Sequence, residues 1–298
     1  MKAKLKFNLQ FFATIDYAAK YATQVDERFK ELAKTEDLVN HDYDFVGAKT
    51  VNVYSISTSA MTDYTRSGSN RYGTPAELDA SAQEMTMRKD RSFTFTIDKM
   101  NEDETAGALN AAKALARQIK EVVVPEIDTY RLSEIATNAG VKKEIVLTAE
   151  NIYDEITTAT EVLDDKEVPI EGRVLVVNPT TYKLMKQSKA IVLDTEVGAD
   201  MRLKGVVAML DGMPVKKVPS SRLGEKVNFI ITHQSATVGP VKLAEYKIHT
   251  DVPGISGSLV EGRVYYDAFI LKNKAGSIYA CKTPADPSKC YSGSSSLR

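Results

Sequence analysis

The chain has 298 residues, enough to bury one large or two modest hydrophobic cores without disulfide support. Its 39 basic and 40 acidic residues leave a formal net charge of -1, which argues against a dedicated nucleic-acid binder. The 2 cysteines are too few for a disulfide framework and favour a reducing compartment. No stretch approaches the roughly 20 apolar residues that a membrane-spanning helix needs, so we expect a soluble protein made and used in a cytoplasm.

The first 45 residues predict an arm followed by a helix. Residues 1–15 contain apolar side chains that are unusual in a free tail, among them Phe11 and Phe12. We expect this arm to dock on its own domain or on a neighbouring subunit. Residues 16–34 then have the pattern of an amphipathic helix. Its apolar face consists of Ala18, Tyr21, Val25, Phe29 and Leu32.

The next segment, residues 46–98, predicts an extended β-ribbon. Residues 50–57 alternate as a strand does, and apolar residues later occupy odd positions from Met85 to Ile97 with few interruptions. An isolated two-stranded hairpin is marginally stable in water. We therefore expect a protruding arm that packs on another subunit, with a plain surface hairpin as the alternative.

The longest helical signal extends from Glu104 to Gly140. Asn101 and Glu104 predict a capping box at its start, with Asp103 as the alternative cap, and Gly140 predicts a stop in the left-handed conformation. Pro125 predicts a kink or short break near Val124. A narrow apolar stripe on an alanine-rich helix favours a rod, and the alternative is a helix lying across a sheet. The stripe consists of Ala108, Ala112, Leu115, Ile119, Val123, Ile127 and Tyr130.

Residues 148–249 predict a compact α/β lobe after the long helix. Its elements are a helix capped by Thr148, a buried strand at 173–178, a helix starting at Pro179, a hairpin turning at Asp211 and Gly212, and a buried strand at 227–231. Further strands at 242–249, 260–271 and 277–281 are expected to return to the long helix. The residues from 283 onward are rich in proline, serine, glycine and lysine and are expected to be disordered. These elements together indicate an extended subunit rather than a compact enzyme.

Motifs for catalysis or ligand binding are missing from the sequence. The histidines His41, His233 and His249 do not have the spacing of a metal site. The sequence also lacks a phosphate-binding glycine loop and a nucleophile elbow. The acidic residues from Asp98 to Glu104 lack the spacing of a calcium loop and are better explained as helix caps. We therefore predict no catalytic residues, no cofactor and no metal.

Basic residues concentrate in the ribbon region, where Lys89 and Arg91 also interrupt the apolar alternation. In a nearly neutral chain we expect such residues to pair with carboxylates of an adjacent subunit; contacts to phosphates or a solvated loop are the alternatives. Including the two phenylalanines of the arm, the predicted inter-subunit residues are Arg66, Arg71, Arg88, Lys89, Arg91, Phe11 and Phe12.

Several segments, in their order and spacing, are similar to those of one protein family. They are LKFNLQFFA at 5–13, FVGAKTVNV at 45–53, RSFTFTIDKMNEDET at 91–105, VPEIDTYRLSEIA at 124–136, LDGMPVKKVPSSRL at 210–223 and EGRVYYDAFILKNK at 261–274. Over residues 5–282 the sequence resembles the major capsid (head) proteins of tailed bacteriophages, particularly the siphovirus type from Gram-positive hosts.

The resemblance implies an α+β fold, the tailed-phage major capsid protein fold, in five parts. These are an N-terminal arm and helix (1–45), an extended loop (46–98), a peripheral domain with a spine helix (99–147 with 250–282), an axial domain (148–249) and a flexible tail (283–298). It also implies a structural protein without enzymatic activity. Such a protein self-assembles as hexamers and pentamers into an icosahedral phage head enclosing double-stranded DNA.

The partners that the resemblance implies are other copies of the chain, a scaffolding protein, the portal and packaged double-stranded DNA contacted non-specifically, without a membrane. The protein would be located in the virion capsid and assembled in the host cytoplasm. An encapsulin-like compartment with the same fold is the main alternative, and packaged DNA separates the two. An enzyme using the 148–249 lobe and a tail or other virion protein are further alternatives.

Overall fold

The computed structural model describes residues 33–40, 42–43, 45, 50–56, 58–75, 77–78, 80–104, 110–193, 209–250 and 252–284. The predictions for the N-terminal arm and its helix, including Phe11 and Phe12, lie outside these residues. The predicted tail lies outside them from residue 285 onward. Within the described residues the protein has an α+β architecture, as predicted.

The helices are α1 (Lys99–Glu104), α2 (Ala111–Gln118), a π-helical turn (Ile119–Val123), α3 (Val124–Thr137), α4 (Ile152–Asp164), α5 (Pro179–Gln187), α6 (Lys189–Leu193) and α7 (Ser220–Leu223). The strands are β1 (Thr50–Ile56), β2 (Ala80–Thr86), β3 (Lys89–Asp98), β4 (Val141–Glu144), β5 (Arg173–Val177), β6 (Met209–Leu210), β7 (Met213–Lys217), β8 (Val227–His233), β9 (Thr237–Val238), β10 (Val241–His249), β11 (Gly257–Tyr266), β12 (Phe269–Ile270) and β13 (Ile278–Lys282). In the part of the chain that the structure describes, 3-10 turns occupy Glu36–Leu38, Gln234–Ala236 and Lys272–Ser277.

A mixed six-stranded sheet forms the compact half of the subunit, with the strand order β4-β13-β8-β5-β7-β6. Strand β5 lies inside this sheet and is buried along its whole length, which explains the continuous apolar run from Val174 to Val177. Val174 and Val176 pack on one side together with the end of α3, whereas Leu175 and Val177 pack on the other side with α4 and α5. The sheet therefore separates two hydrophobic cores.

The local predictions for the compact half are confirmed except for the cap of its first helix. Asn151 occupies the N-cap position instead of Thr148, whose hydroxyl accepts a hydrogen bond from the Asn151 amide over 3.3 Å. Helix α4 buries Ile152 and Ile156 against the sheet, and the Asn178 side chain caps α5 by accepting a hydrogen bond from the Thr181 amide. Strands β6 and β7 form a hairpin through Asp211 and Gly212, whose φ angles are 50° and 72°. Two consecutive positive φ values are what a two-residue hairpin turn requires.

Strand pairing crosses the domain boundaries that the resemblance implied. Strands β4 and β13 belong to the six-stranded sheet, although their residues fall in the segments 99–147 and 250–282. Strands β3 and β10 join β11 in a three-stranded sheet beneath the long helix. The division into two sheets thus depends on pairing between strands that are distant in sequence, such as β4 and β13.

The long helix begins later than the sequence predicted. Helix α1 ends at Glu104, and its start is capped by Asp98, which accepts a hydrogen bond from the Met100 amide. Asn110 has an extended backbone and caps α2 by accepting a hydrogen bond from the Ala112 amide. The predicted start at Glu104 is therefore wrong, because Asn110 supplies the cap and α1 is a separate element.

From Ala111 to Thr137 the helix is continuous through α2, the π-helical turn and α3, and we refer to these residues as the long helix. The π-helical turn ends at Val123, two residues before Pro125. Because proline has no amide hydrogen, the α-helical hydrogen bond that residue 125 would donate is missing, and the wider turn accommodates this loss. The predicted irregularity near Val124 is confirmed in this form.

The long helix is a shared core element rather than a rod, contrary to the prediction. Leu115, Ile119 and Ile127 pack on the three-stranded sheet. One turn later, Leu132 and Ile135 pack on the six-stranded sheet. The buried face of the helix therefore changes direction between residues 127 and 132. A single apolar stripe describes only the first of these two buried faces. The long helix thus joins the two sheets.

The apolar alternation from Met85 to Ile97 belongs to two strands of different sheets. Strand β2 pairs with β1 over residues 80–86 in a two-stranded ribbon, whereas β3 pairs with β11. Met85 is buried at the base of the ribbon, and Ile97 is buried against the long helix. The prediction of one ribbon strand was therefore wrong for β3, since a period of two identifies strands and not their partners.

Gly140 follows the long helix, and its role differs from the predicted one. It does not have a positive φ; instead, its amide donates a hydrogen bond to the Ala275 carbonyl over 2.9 Å. A Cβ atom at this position would lie 2.5 Å from the same carbonyl oxygen. The backbones approach so closely here that only glycine fits.

We expect the Gly140→Ala variant to lose about 1–3 kcal/mol of unfolding free energy, because the added methyl group pushes two backbone segments apart. Denaturant titration of the purified variant measures this loss. Gly276→Ala is the matched control, since its Cβ would meet no atom closer than 3.6 Å. Equal stability of the two variants would contradict the steric explanation.

Candidate functional site: the ribbon and its anchors

The ribbon and its connecting residues form the most exposed apolar surface of the described chain. Met61 is 99% exposed and Tyr72 is 87% exposed. Large exposed apolar groups that lie close together are typical of interaction surfaces. Tyr54, Met61, Tyr64, Tyr72 and Leu78 are the large exposed hydrophobic residues of this region.

Local contacts order the tip of this surface. The Tyr64 and Tyr72 rings meet edge to face with centroids 5.0 Å apart. The Thr65 amide donates a hydrogen bond to the Arg71 carbonyl, and Arg71 Nε donates one to the Gly68 carbonyl. The predicted contact residues Arg66 and Arg71 are therefore exposed at the tip, and Arg71 also stabilises the turn.

Side-chain hydrogen bonds to backbone groups of residues 270 and 272 attach the base of the ribbon to the rest of the subunit. Gln83 donates through Nε2 to the Ile270 carbonyl over 2.8 Å and accepts through Oε1 from the Lys272 amide over 2.9 Å. Met85 and Met87 are buried beside Phe45 and other apolar residues. The ribbon thus projects from a fixed base.

Asp267 is a fully buried carboxylate beside the ribbon base. It accepts hydrogen bonds from the Arg88 amide over 2.8 Å, the Tyr130 hydroxyl over 2.7 Å and the Ala268 amide over 2.8 Å. The Arg88 guanidinium lies 3.4 Å away, and the bond to Asp267 raises the pKa of Arg88 above its ordinary value. Burial, followed by the bond to Asp267, also raises the pKa of Tyr130. Asp267 therefore ties Arg88, which lies between β2 and β3, to Tyr130 of the long helix.

The next two cations along the chain, Lys89 and Arg91, also have partners within the chain. Arg91 Nε lies 2.7 Å from Glu126 Oε1, a residue of the long helix. Lys89 Nζ lies 4.9 Å from the centre of the Tyr130 ring. These contacts explain why charged residues interrupt the alternation of β3. The sequence pattern could not reveal them, because Glu126 and Tyr130 are on another element.

A second buried polar network was missed in the sequence. Asp128 is fully buried and accepts hydrogen bonds from the Lys34 amide, the Thr35 hydroxyl and Arg222. Arg131 is also fully buried and donates to Thr35, to Glu36 and to a backbone carbonyl. The available signal in the sequence was the pair of opposite charges, Asp128 and Arg131, among the apolar positions of helix α3. The network holds the first described residues against the long helix.

Titratable side chains of the compact core make stability sensitive to alkaline pH. Burial raises the pKa of the Cys281 thiol from 9.0 to about 12, and it raises that of Tyr279 from 10.0 to about 12. In the unfolded chain both groups release their protons at lower pH than in the folded chain. The native state is therefore progressively disfavoured as pH rises.

We expect full stability below pH 9 and a continuous loss of it as pH approaches the raised pKa values, by up to about 1.4 kcal/mol per pH unit and group. Denaturant titrations at several pH values measure the loss. In the Cys281→Ala variant the loss should begin about one pH unit higher, at the ordinary pKa of tyrosine. An unchanged onset would contradict the assignment to Cys281.

The described residues contain no group of three or more histidine, cysteine, aspartate or glutamate side chains suited to a metal ion. His233 instead bonds to Ser235 and to the Glu171 carbonyl, and His249 lies 3.2 Å from Glu261. No helix of this part of the chain combines the length and apolar character that crossing a bilayer requires.

No protein-family model matches the sequence, and neither does any curated protein. Solved structures do resemble the fold. The capsid of cyanophage P-SCSP1u has a TM-score of 0.70 at 13% identity, covering 85% of this chain and 89% of that chain. The mature capsid of bacteriophage PhiM1 has a TM-score of 0.68 at 13% identity, covering 86% and 88%. A virus-like particle from Pyrococcus furiosus has a TM-score of 0.56 at 13% identity, covering 90% and 100%.

The fold of this chain is similar to these structures over most of the length of both proteins. The two phage capsid structures have higher TM-scores than the virus-like particle. In this chain the long helix packs on both sheets, and the matched length of 85% to 90% covers most of these elements. The chain therefore has the fold of the tailed-phage major capsid proteins.

Proposed function

We propose that the chain is the major capsid protein of a tailed phage of the siphovirus type. It would assemble as hexamers and pentamers into an icosahedral head enclosing double-stranded DNA. The observation that carries this proposal is the fold match to two phage capsid structures over 85% and 86% of the chain. Closed symmetry stabilises such a shell, because each subunit repeats modest contacts many times.

The exposed ribbon supports this function. Its tip carries the aromatic pair Tyr64 and Tyr72, and it projects from a base that Gln83 and Asp267 hold in place. An ordered projection with exposed apolar side chains is suited to a contact that is completed only in an assembly. In this role the protein is structural and not an enzyme. It would be located in the virion and assembled in the host cytoplasm.

The strand pairings support a revised division of the subunit. We assign β3, β10 and β11 with the long helix to the peripheral domain. We assign β4 to β8 with β13 to the axial domain, because they form one sheet. The extended loop then consists of the ribbon, residues 50–86. Scaffolding protein, portal and packaged double-stranded DNA contacted non-specifically remain the proposed partners.

Electron microscopy of the purified protein, expressed alone and with candidate scaffolding proteins, tests the function. Closed shells or capsomers built from this chain are the expected result, whereas tubes or rings would indicate another virion component. Shells that contain double-stranded DNA support the phage head. An encapsulin-like compartment, favoured by the match to the virus-like particle, would instead contain a protein cargo.

The tip residues Arg66 and Arg71 are proposed to contact carboxylates of the adjacent subunit. We expect the Arg66→Glu variant to lower the yield of shells about tenfold, which corresponds to about 1.4 kcal/mol, while the melting temperature of the subunit stays the same. Arg91→Glu is the comparison: it replaces the pair with Glu126 of its own chain by two adjacent carboxylates, so it should lower the melting temperature instead. A normal yield from the Arg66 variant would refute the contact.

A further inference from the structure

A groove runs along the outward side of the long helix, and its volume is about 710 Å³. Pro125, Thr129 and Tyr130 line the helical side, and Pro219 and Arg222 line the side of α7. Val122, one turn earlier on the helix, is also exposed. The groove therefore presents prolines and tyrosine rings to an occupant, together with charged side chains of both signs, namely Lys89, Glu121, Glu126 and Arg222.

The described chain begins at the edge of this groove. Ala33 packs against the apolar cluster of the long helix, and the Lys34 amide donates to Asp128 Oδ2 over 3.0 Å. Arg222, which lines the groove, donates to the same oxygen over 3.2 Å. Thr35 is bonded to both Asp128 and Arg131 and cannot shift freely. The residues that precede Ala33 therefore start beside the groove.

The sequence of those preceding residues suits the groove. Residues 16–34 have an amphipathic helical pattern, and in its last two turns Val25, Phe29 and Leu32 share the apolar side. Charges of both signs occupy the other positions between them, among them Glu27. Such a helix buries one apolar side and keeps the charged side in water.

We propose that residues 25–32 dock as a helix in the groove of the same subunit. From the level of Asp128 to that of Glu121 the groove extends about 10 Å, which two helical turns span. The segment of the same chain is favoured over that of a neighbour because the anchor at Lys34 and Thr35 gives it a millimolar effective concentration. This docking is independent of the proposed function, since it takes place within one subunit.

Disulfide trapping tests the docking in the full-length chain carrying Cys290→Ser. Val25, Phe29 and Leu32 are each replaced by cysteine and combined with Thr129→Cys, and dilute subunits are oxidised. At least one pair should form a bond within the chain, because docked Cα atoms come within about 4–7 Å. Glu27→Cys with Thr129→Cys is the matched control on the opposite side of the segment and should not form one. Bonds only between chains, or equal bonding of the control, would overturn the proposal.

A second measurement does not depend on a disulfide. Thr129→Cys alone should react slowly with a maleimide, and adding Phe29→Ser should accelerate the reaction about tenfold by releasing the segment. Adding Lys30→Ser, which alters the charged side, should leave the rate unchanged. Circular dichroism verifies that each variant is folded. Equal rates in the Phe29 and Lys30 variants would show that the segment lies elsewhere.

Discussion

The Asp267→Ala variant is expected to lose about 3–4 kcal/mol of unfolding free energy. Asp267 is fully buried, and its removal leaves the Tyr130 hydroxyl and the Arg88 and Ala268 amides without their acceptor. Denaturant unfolding at neutral pH measures the loss. Asp267→Asn should fall between the wild type and the alanine variant, because the amide retains one acceptor oxygen.

Asp90→Ala is the matched control for this variant. Asp90 also pairs with an arginine, Arg263, over 2.6 Å, but both side chains are exposed to water. Exposed pairs contribute little to stability. If Asp267→Ala were no more destabilising than Asp90→Ala, the buried carboxylate would not be the anchor that we infer. The Asp267 variant should also loosen the ribbon, which proteolysis between residues 58 and 75 would detect.

The Arg131→Met variant is expected to lose about 3 kcal/mol of unfolding free energy, because methionine fills much of the space but removes the donor to the Gly239 carbonyl and the buried positive charge near Asp128. Equilibrium unfolding gives the magnitude. A trypsin time course should also show faster cleavage after Lys34, since Arg131 holds the next two residues, Thr35 and Glu36.

Arg117→Met provides the control on the same helix. Arg117 forms an exposed pair with Glu121, four residues later, and such pairs contribute about 0.3–0.5 kcal/mol. Its trypsin cleavage after Lys34 should match that of the wild type. A similar loss in both variants would mean that burial of Arg131 adds nothing beyond a surface charge pair.

The Asp267 and Arg131 variants should also affect assembly. Asp267 positions the base of the ribbon, and Arg131 positions the segment that leads back to residues 1–32. If the ribbon and the N-terminal arm, residues 1–15, contact neighbouring subunits in the proposed head, weakening either anchor should lower the yield of shells. Subunits whose stability falls while their shells form normally would place the contacts elsewhere.

The local elements of the fold could be predicted from the sequence alone. The buried side of α4, the apolar run in β5 and the hairpin at Asp211 and Gly212 each depend on residues that are close together in the chain. Helical and strand periods, caps and turn residues act over a few positions, so a single sequence contains the information. Pro125 likewise indicated where the long helix is irregular.

Only the tertiary structure decided which strands share a sheet and where the charged residues of the ribbon region point. Strands β2 and β3 follow one another in the chain and continue the same alternation of apolar and polar residues, yet they belong to different sheets. Arg88 and Asp267 are separated by 179 positions, so no local pattern links them. Gly140 is required by a carbonyl from residue 275. Such pairings depend on packing across the whole subunit, because burial of a charge is favourable only where distant residues supply its partners.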